Sequence, residues 1–187
     1  MRYLGALGLA LSIGFAGLTV GASPSCAQEV LSADTPRTTA GGASFTAPLG
    51  WRVTADASKS VLDPPEGDSH LVLIDVQAAD ADAAVAAAWA SYRPGASRPL
   101  RIAMPQAPHN GWEERRRYVY ETSPNEKALV YALAWRAGRN WTVVIVDASR
   151  ATFGRRNAAF SLAIESLRPK GYQRQMFAGR QAHPASP

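Results

Sequence analysis

Ser69 stands beside His70 and directly after Gly67-Asp68, which brings a hydroxyl, an imidazole and a carboxylate together. A serine nucleophile needs a base within reach and a third group that orients the base. Local context argues against that chemistry. Ser69 follows the turn-forming run Pro64-Pro65-Glu66-Gly67 and precedes a run of branched residues, so it opens a strand. Neighbours on a strand point to opposite faces, which sends the two side chains apart. A second base is missing near the C-terminus, because Arg180 stands three residues before His183. The sequence also has no Gly-x-Ser-x-Gly elbow, no Ser-x-x-Lys pair and no phosphate loop. No catalytic residue is therefore assigned.

The metal-binding residue types are equally dispersed. His70, His109 and His183 lie in three different local contexts, and Cys26 is the single cysteine. A zinc site needs three or four converging ligands, so neither a metal nor a cofactor is expected. Asp80-Ala81-Asp82 reads as a helix cap, since no glycine turn or later glutamate completes a calcium loop.

The densest charge run is Glu113-Glu114-Arg115-Arg116-Arg117. Strand alternation puts Glu113, Arg115 and Arg117 on one face, with Val119 and Glu121. Trp112, Glu114, Arg116, Tyr118 and Tyr120 fall on the other. Cross-strand ion pairing on a solvated face is the plain reading, and such pairs are weak. The functional reading is a surface on Glu113, Arg115 and Arg117 that docks a partner or an anion, because arginine and tyrosine favour interfaces.

These residues need elements to position them. Short extended segments are expected at Ser44–Ala47, Trp51–Ala55 and Val61–Asp63, followed by a strand over His70–Gln77. Ala81–Tyr92 reads as a helix with Val85, Trp89 and Tyr92 in one stripe, stopped by Pro94-Gly95. Leu100–Met104, Trp112–Thr122, Ala128–Arg136 and Trp141–Asp147 read as strands. The last two are apolar in both registers, which implies a sheet covered on both faces. Ala151–Leu167 is a second helix, with Phe153, Phe160, Ile164 and Leu167 on one side and Pro169 beyond its end. The order predicts a single α+β domain: a mainly antiparallel sheet with two main helices. Residues 44–168 make up that domain. Residues 28–43 read as a flexible lead-in and 169–187 as a linker or disordered tail.

Charge narrows the partners. The chain of 187 residues carries +5 overall. Arg2 accounts for one basic residue and the last twenty residues for four more, and neither residues 1–27 nor 168–187 contain an acid. The span 28–167 then holds fifteen basic and fifteen acidic residues. A neutral body offers no broad field to attract phosphates, so no nucleic-acid partner is expected.

Residues 1–27 read as a secretory signal. Met1-Arg2-Tyr3 is a short positive start, and Leu4 to Val20 is apolar and uncharged. Ser25 and Ala27 are the small residues a signal peptidase requires, with Gln28 following. Repeated glycines and the lack of a basic stop-transfer flank argue against a retained membrane span. A periplasmic or secreted location follows. Cleavage there removes Cys26, which suits an oxidising compartment.

Several segments carry a family resemblance. PPEGD (64–68), GWEER (111–115), YETSPNEK (120–127), SLRP (166–169), GYQ (171–173) and FAGRQAHP (177–184) occur in that order. They resemble the N-terminal, non-catalytic domain of secreted bacterial serine hydrolases related to class C β-lactamases and penicillin-binding proteins. The resemblance implies a PsbP-like α/β/α sandwich. It further implies that the Ser-x-x-Lys nucleophile and the tyrosine motif belong to a separate catalytic domain, with no counterpart among these residues. The functions left open are an exported accessory or partner-binding domain, the front end of a serine hydrolase, and a stand-alone carrier of a small ligand. The first two name a hydrolase catalytic domain or another exported protein as the partner.

Cleavage between Ala27 and Gln28 is the expected processing event. N-terminal sequencing of the exported protein checks it; a lipid-modified Cys26 at the start would show that the leader is of another kind.

Overall fold

The computed structural model describes residues 28–173, together with 176–177 and 180–181. The expected signal, 1–27, lies outside the described residues, as do the remaining tail positions.

Ten strands and two helices precede a short C-terminal ribbon. In chain order the elements are β1 (Gln28–Val30), β2 (Thr35–Thr38), β3 (Ser44–Ala47), β4 (Arg52–Ala55), β5 (Lys59–Asp63), β6 (Ser69–Val76) and α1 (Ala81–Tyr92). β7 (Leu100–Gln106), β8 (Glu114–Tyr120), β9 (Ala128–Ala137), β10 (Asn140–Ser149) and α2 (Arg150–Glu165) follow, then β11 (Met176–Phe177) and β12 (Arg180–Gln181). Eight strands form one antiparallel sheet in the order β1-β4-β5-β6-β10-β9-β8-β7. β2 pairs with β3, and β11 with β12, as separate ribbons.

The side chains of β10 explain the layering. Val144, Val146 and Ala148 point to one face, while Trp141, Val143 and Ile145 point to the other, and all six are buried. The first face packs under α2 and the β2–β3 ribbon, with Phe160, Ala163, Leu167 and Phe45 in the same cluster. The second packs under α1 through Ala81, Ala84, Val85 and Ala88. The fold is an α+β sandwich with one helix on each side of an antiparallel sheet.

Each helix end has a local cause. Asp80 caps α1 by accepting from the Ala83 amide at 2.8 Å, and Ser149 caps α2 by accepting from Thr152. The Arg93 amide donates to Trp89 at 2.8 Å, and Gly95 then takes a positive φ of 79° that a side chain would disfavour. The aromatic rings of the α2 layer form a chain. Trp51 meets Phe160 edge-on at 4.8 Å, Phe160 meets Phe153 at 5.0 Å, and Phe153 meets Tyr131 at 6.3 Å.

Two expected boundaries are corrected. Residues 28–43 are not a flexible lead-in: they supply β1 and β2, and Leu31, Thr39 and Ala43 are buried. The segment lacks a hydrophobic period because its order comes from backbone pairing plus three isolated side chains. The Leu31 amide donates to the Trp51 carbonyl at 3.0 Å, and the Gly50 amide donates back at 2.8 Å. The tail also does not begin at 169. Arg168 exchanges two backbone hydrogen bonds with Ser44, Pro169 is buried, and the Tyr172 ring lies against Gly111. Gly111 has φ +85°, and a Cβ there would meet the Tyr172 ring at 2.5 Å.

A third correction concerns Trp112, which alternation placed beside Tyr118. β8 begins only at Glu114. His109 and Trp112 close a tight turn through Asn110 (φ 53°) and Gly111, and that turn swings the indole to the opposite face. Trp112 therefore packs on Trp135 at 5.7 Å and donates its indole N–H to the Leu167 carbonyl at 3.2 Å.

Deleting residues 28–43 is expected to lower the melting temperature clearly, because it unpairs β4 and β3 and uncovers Trp51. Phe160→Ala is expected to cost about 3–5 kcal/mol, since a fully buried ring leaves a cavity. Denaturant unfolding checks both; a deletion that leaves the midpoint in place would return the segment to a lead-in role.

Candidate functional site

The serine–histidine pair does not form a site. Ser69 is fully buried; its hydroxyl donates to Asp68 at 2.9 Å and accepts the Ser149 amide at 3.1 Å. It thereby braces the start of α2. Asp68 sits below the usual carboxylate range, chiefly because the Thr152 hydroxyl bonds to it, with Ser69 and Ser149 adding against the effect of burial. His70 points the other way and holds Asp63 at 2.7 Å, in the manner expected of strand neighbours. His109 lies far along the chain at another edge, and His183 lies outside the described residues.

The chemistry of the surface concentrates instead in a cleft of about 670 Å³ between α2 and the outer strands. Its origin is geometric. α2 packs over β3, β6, β9 and β10, so β8 and the edge strand β7 extend beyond it on that face. Tyr131, Leu133 and Trp135 of β9 form the floor, and Ile164 of α2 with Leu167 just past its end forms an apolar wall. Arg115 and Arg117 of β8 lie over the floor, while Gln106, His109 and Arg168 stand at the rim.

Register sets the two arginines over the aromatic rings. Arg115 is directly opposite Trp135, and its guanidinium carbon sits 4.7 Å from the indole centroid. Arg117 lies diagonal to Tyr131 and stacks on that ring at 4.8 Å. Each stack is worth about 0.5–1 kcal/mol. Neither arginine has an acidic partner among the described residues; Arg115 donates only to the Ala107 carbonyl at 3.2 Å. Burial without such a partner holds the Arg115 guanidinium below the ordinary arginine value. Burial likewise pushes the Tyr131 phenol up to about 12, against the opposing pull of Arg117.

Four buried polar atoms of this cleft have no hydrogen-bond partner: Nε of Arg115, Nε of Arg117, Nε1 of Trp135 and Oε1 of Gln106. Each orphaned group of that kind costs about 1–3 kcal/mol. Arg168 is also free of acids. It donates to the Glu165 and Leu167 carbonyls and, with the Asn110 amide oxygen turned toward it, to that oxygen at 3.1 Å. Glu165 is the single carboxylate lining the cleft, and it is exposed.

Several arginines elsewhere are paired with acids. Arg116, pointing to the other face, reaches Asp82 at 3.4 Å. Arg156 holds Glu66 at 3.0 Å, and Arg93 holds Asp147 at 2.8 Å. Of the surface expected from sequence, Arg115 and Arg117 come together in the cleft but Glu113 does not join them. Its carboxylate accepts from Arg136 at 3.0 Å and from the Gly138 amide, at the far end of the strand. Gln106, Trp135, Ile164 and Arg168 went unrecognised as site residues. The available signal was that Arg115 and Arg117 alternate in phase opposite the aromatic side of β9.

No protein-family model matches this chain, and no curated protein matches it. Among solved structures it is similar to the solution structure of cyanobacterial PsbP (CyanoP) from Synechocystis sp. PCC 6803. The TM-score is 0.54 at 13% identity, over 74% of this chain and 94% of that one. The chain thus has a PsbP-like fold, the architecture expected from sequence. Among the described residues, no helix is long and apolar enough to cross a membrane.

Arg115→Gln and Arg117→Gln are each expected to change stability by no more than about 1 kcal/mol. The lost cation–π contact is offset by relief of an unpaired, partly buried charge. Thermal melts test this; a loss of more than about 2 kcal/mol would make these arginines structural elements.

Proposed function

We propose that this chain is an exported, non-catalytic accessory domain that binds a protein partner through the cleft between α2 and β8–β9. The observation that carries the reading is the set of three arginines, 115, 117 and 168, turned to one cleft without an acid of their own. A surface that keeps unpaired cations over aromatic rings resembles half of an interface, since arginine and aromatic side chains dominate binding hot spots. The cleft lining includes Ser161, Glu165 and His109, but the Ser161 hydroxyl makes no hydrogen bond to either, so no nucleophile is set beside a base among the described residues. The mixed polar lining and the solvent-open mouth favour a docking surface over an enclosed carrier cavity.

The sequence resemblance suggests the class of partner. Segments such as YETSPNEK and FAGRQAHP resemble the non-catalytic N-terminal domain of β-lactamase-related serine hydrolases, so a catalytic domain of that kind is the first partner to test. Export rests on the leader-like first 27 residues.

A photo-crosslinking residue at Ser161 in the cleft wall is expected to give a discrete adduct in the exported protein. The same residue at Val30, on the far edge of the sheet, is expected to give none. Equal labelling at both positions, or none at either, would remove the cleft from the function. The purified chain should hydrolyse neither a chromogenic β-lactam nor a nitrophenyl ester; turnover lost in Ser69→Ala would overturn the non-catalytic reading.

A further inference from the structure

We infer that the cleft receives an extended acidic segment of the partner, with two carboxylates spaced two residues apart, one for Arg115 and one for Arg117. This rests on the partner-binding reading above and adds the chemistry of what is bound.

Spacing is the first argument. Arg115 and Arg117 are alternate residues on β8, so their Cα atoms repeat at about 7 Å along the strand and their side chains leave the same face. An extended peptide repeats at the same interval, so acids at alternate positions meet both cations in register. Hydrogen bonding is the second. The unpartnered Nε atoms of both arginines are donors, and a guanidinium presents its donors as a fork that a carboxylate fits with two parallel bonds. The unpartnered Gln106 Oε1 is the complementary acceptor, suited to a backbone amide of the incoming segment. The unpartnered Trp135 indole N–H lies beneath Arg115, so it senses a carboxylate arriving at that guanidinium.

Apolar contacts complete the fit. Leu133, Ile164 and Leu167 line the cleft beside the arginines and cover the aliphatic stems of glutamate side chains. Glu165 at the exposed edge disfavours a third acid there, which limits the segment to two. Nucleic acid fits less well, because the body is neutral and the cations are confined to one short cleft.

Calorimetry on the exported protein with the capped peptide Ac-Ala-Glu-Leu-Glu-Ala-NH2 tests this. Binding is expected in 50 mM salt, with affinity falling several-fold by 200 mM, and the double glutamine peptide is expected to bind at least tenfold more weakly. Arg115→Gln and Arg117→Gln should each reduce affinity at least fivefold, and Arg52→Gln, on a distant strand, should leave it unchanged. The Trp135 indole N–H resonance should shift on binding. Equal affinity for the glutamine peptide, or unaltered binding by both cleft variants, would overturn the inference. Pimelate binding as tightly as the peptide would make the cleft a small-anion pocket and also overturn it. A Ser161 adduct without peptide binding sinks the acidic-segment inference alone, whereas failure of both experiments sinks the partner-binding reading with it.

Discussion

β10 carries apolar side chains on both faces, and a strand of that kind cannot be left with either face in water. Its six inward residues on two sides are all buried, so a helix has to lie over each face. The strand also has two neighbours, β6 and β9, which places it in the interior of the sheet and away from an unpaired edge. α1 satisfies one face with four small or branched residues that allow close approach. α2 satisfies the other with Phe160 and Ala163, and Leu167 just past its end and the β2–β3 ribbon complete that layer. The cleft is a by-product of this solution. A sixteen-residue helix centred on β10 cannot also cover β8 and β7, so the aromatic side of β9 continues beyond it.

The exposed part of that aromatic floor is covered by arginines where aliphatic side chains would pack with less electrostatic cost. On the opposite face the next residue, Arg116, meets Asp82, which also accepts the Tyr118 hydroxyl. One strand therefore presents a neutralised side to α1 and an unneutralised side to the cleft. The difference lies in the partner elements. α1 brings an acid in its first turn, while the portion of α2 near the cleft brings Glu165, which reaches neither arginine within ion-pair distance. An overall neutral body can thus hold a local excess of positive charge, and the whole-chain charge reveals nothing about it.

The sequence made the central elements legible because their burial is periodic. Both helices and the β9–β10 hairpin follow from alternation or from a helical stripe, and the two-sided apolar pattern implied the sandwich. Residues 28–43 were illegible because backbone pairing leaves no mark on side-chain pattern; Leu31, Thr39 and Ala43 are too few to show a period. Trp112 was misplaced because alternation assumes an unbroken strand, and the left-handed Asn110-Gly111 step resets the face. The cleft was half legible. Arg115 and Arg117 share a face by simple counting, but Glu113 was grouped with them on the same rule. It left that group because Arg136, its cross-strand neighbour, captured the carboxylate.

Arg115 and Arg117 also differ from the paired arginines in what they would give up on binding. A surface ion pair must be broken before either member can serve a partner, which offsets much of any new contact. A guanidinium lying flat on an aromatic ring keeps its edge donors directed away from the ring plane. It can donate to a carboxylate at that edge while the stacking contact remains, so the gain is not offset by a loss of similar size. The rings also hold each guanidinium in a narrow range of orientations before any ligand arrives, and that reduces the ordering cost of association. Tyr131 and Trp135 therefore have two roles. On one side they pack into the α2 core; on the other they hold two cations over the floor of the cleft.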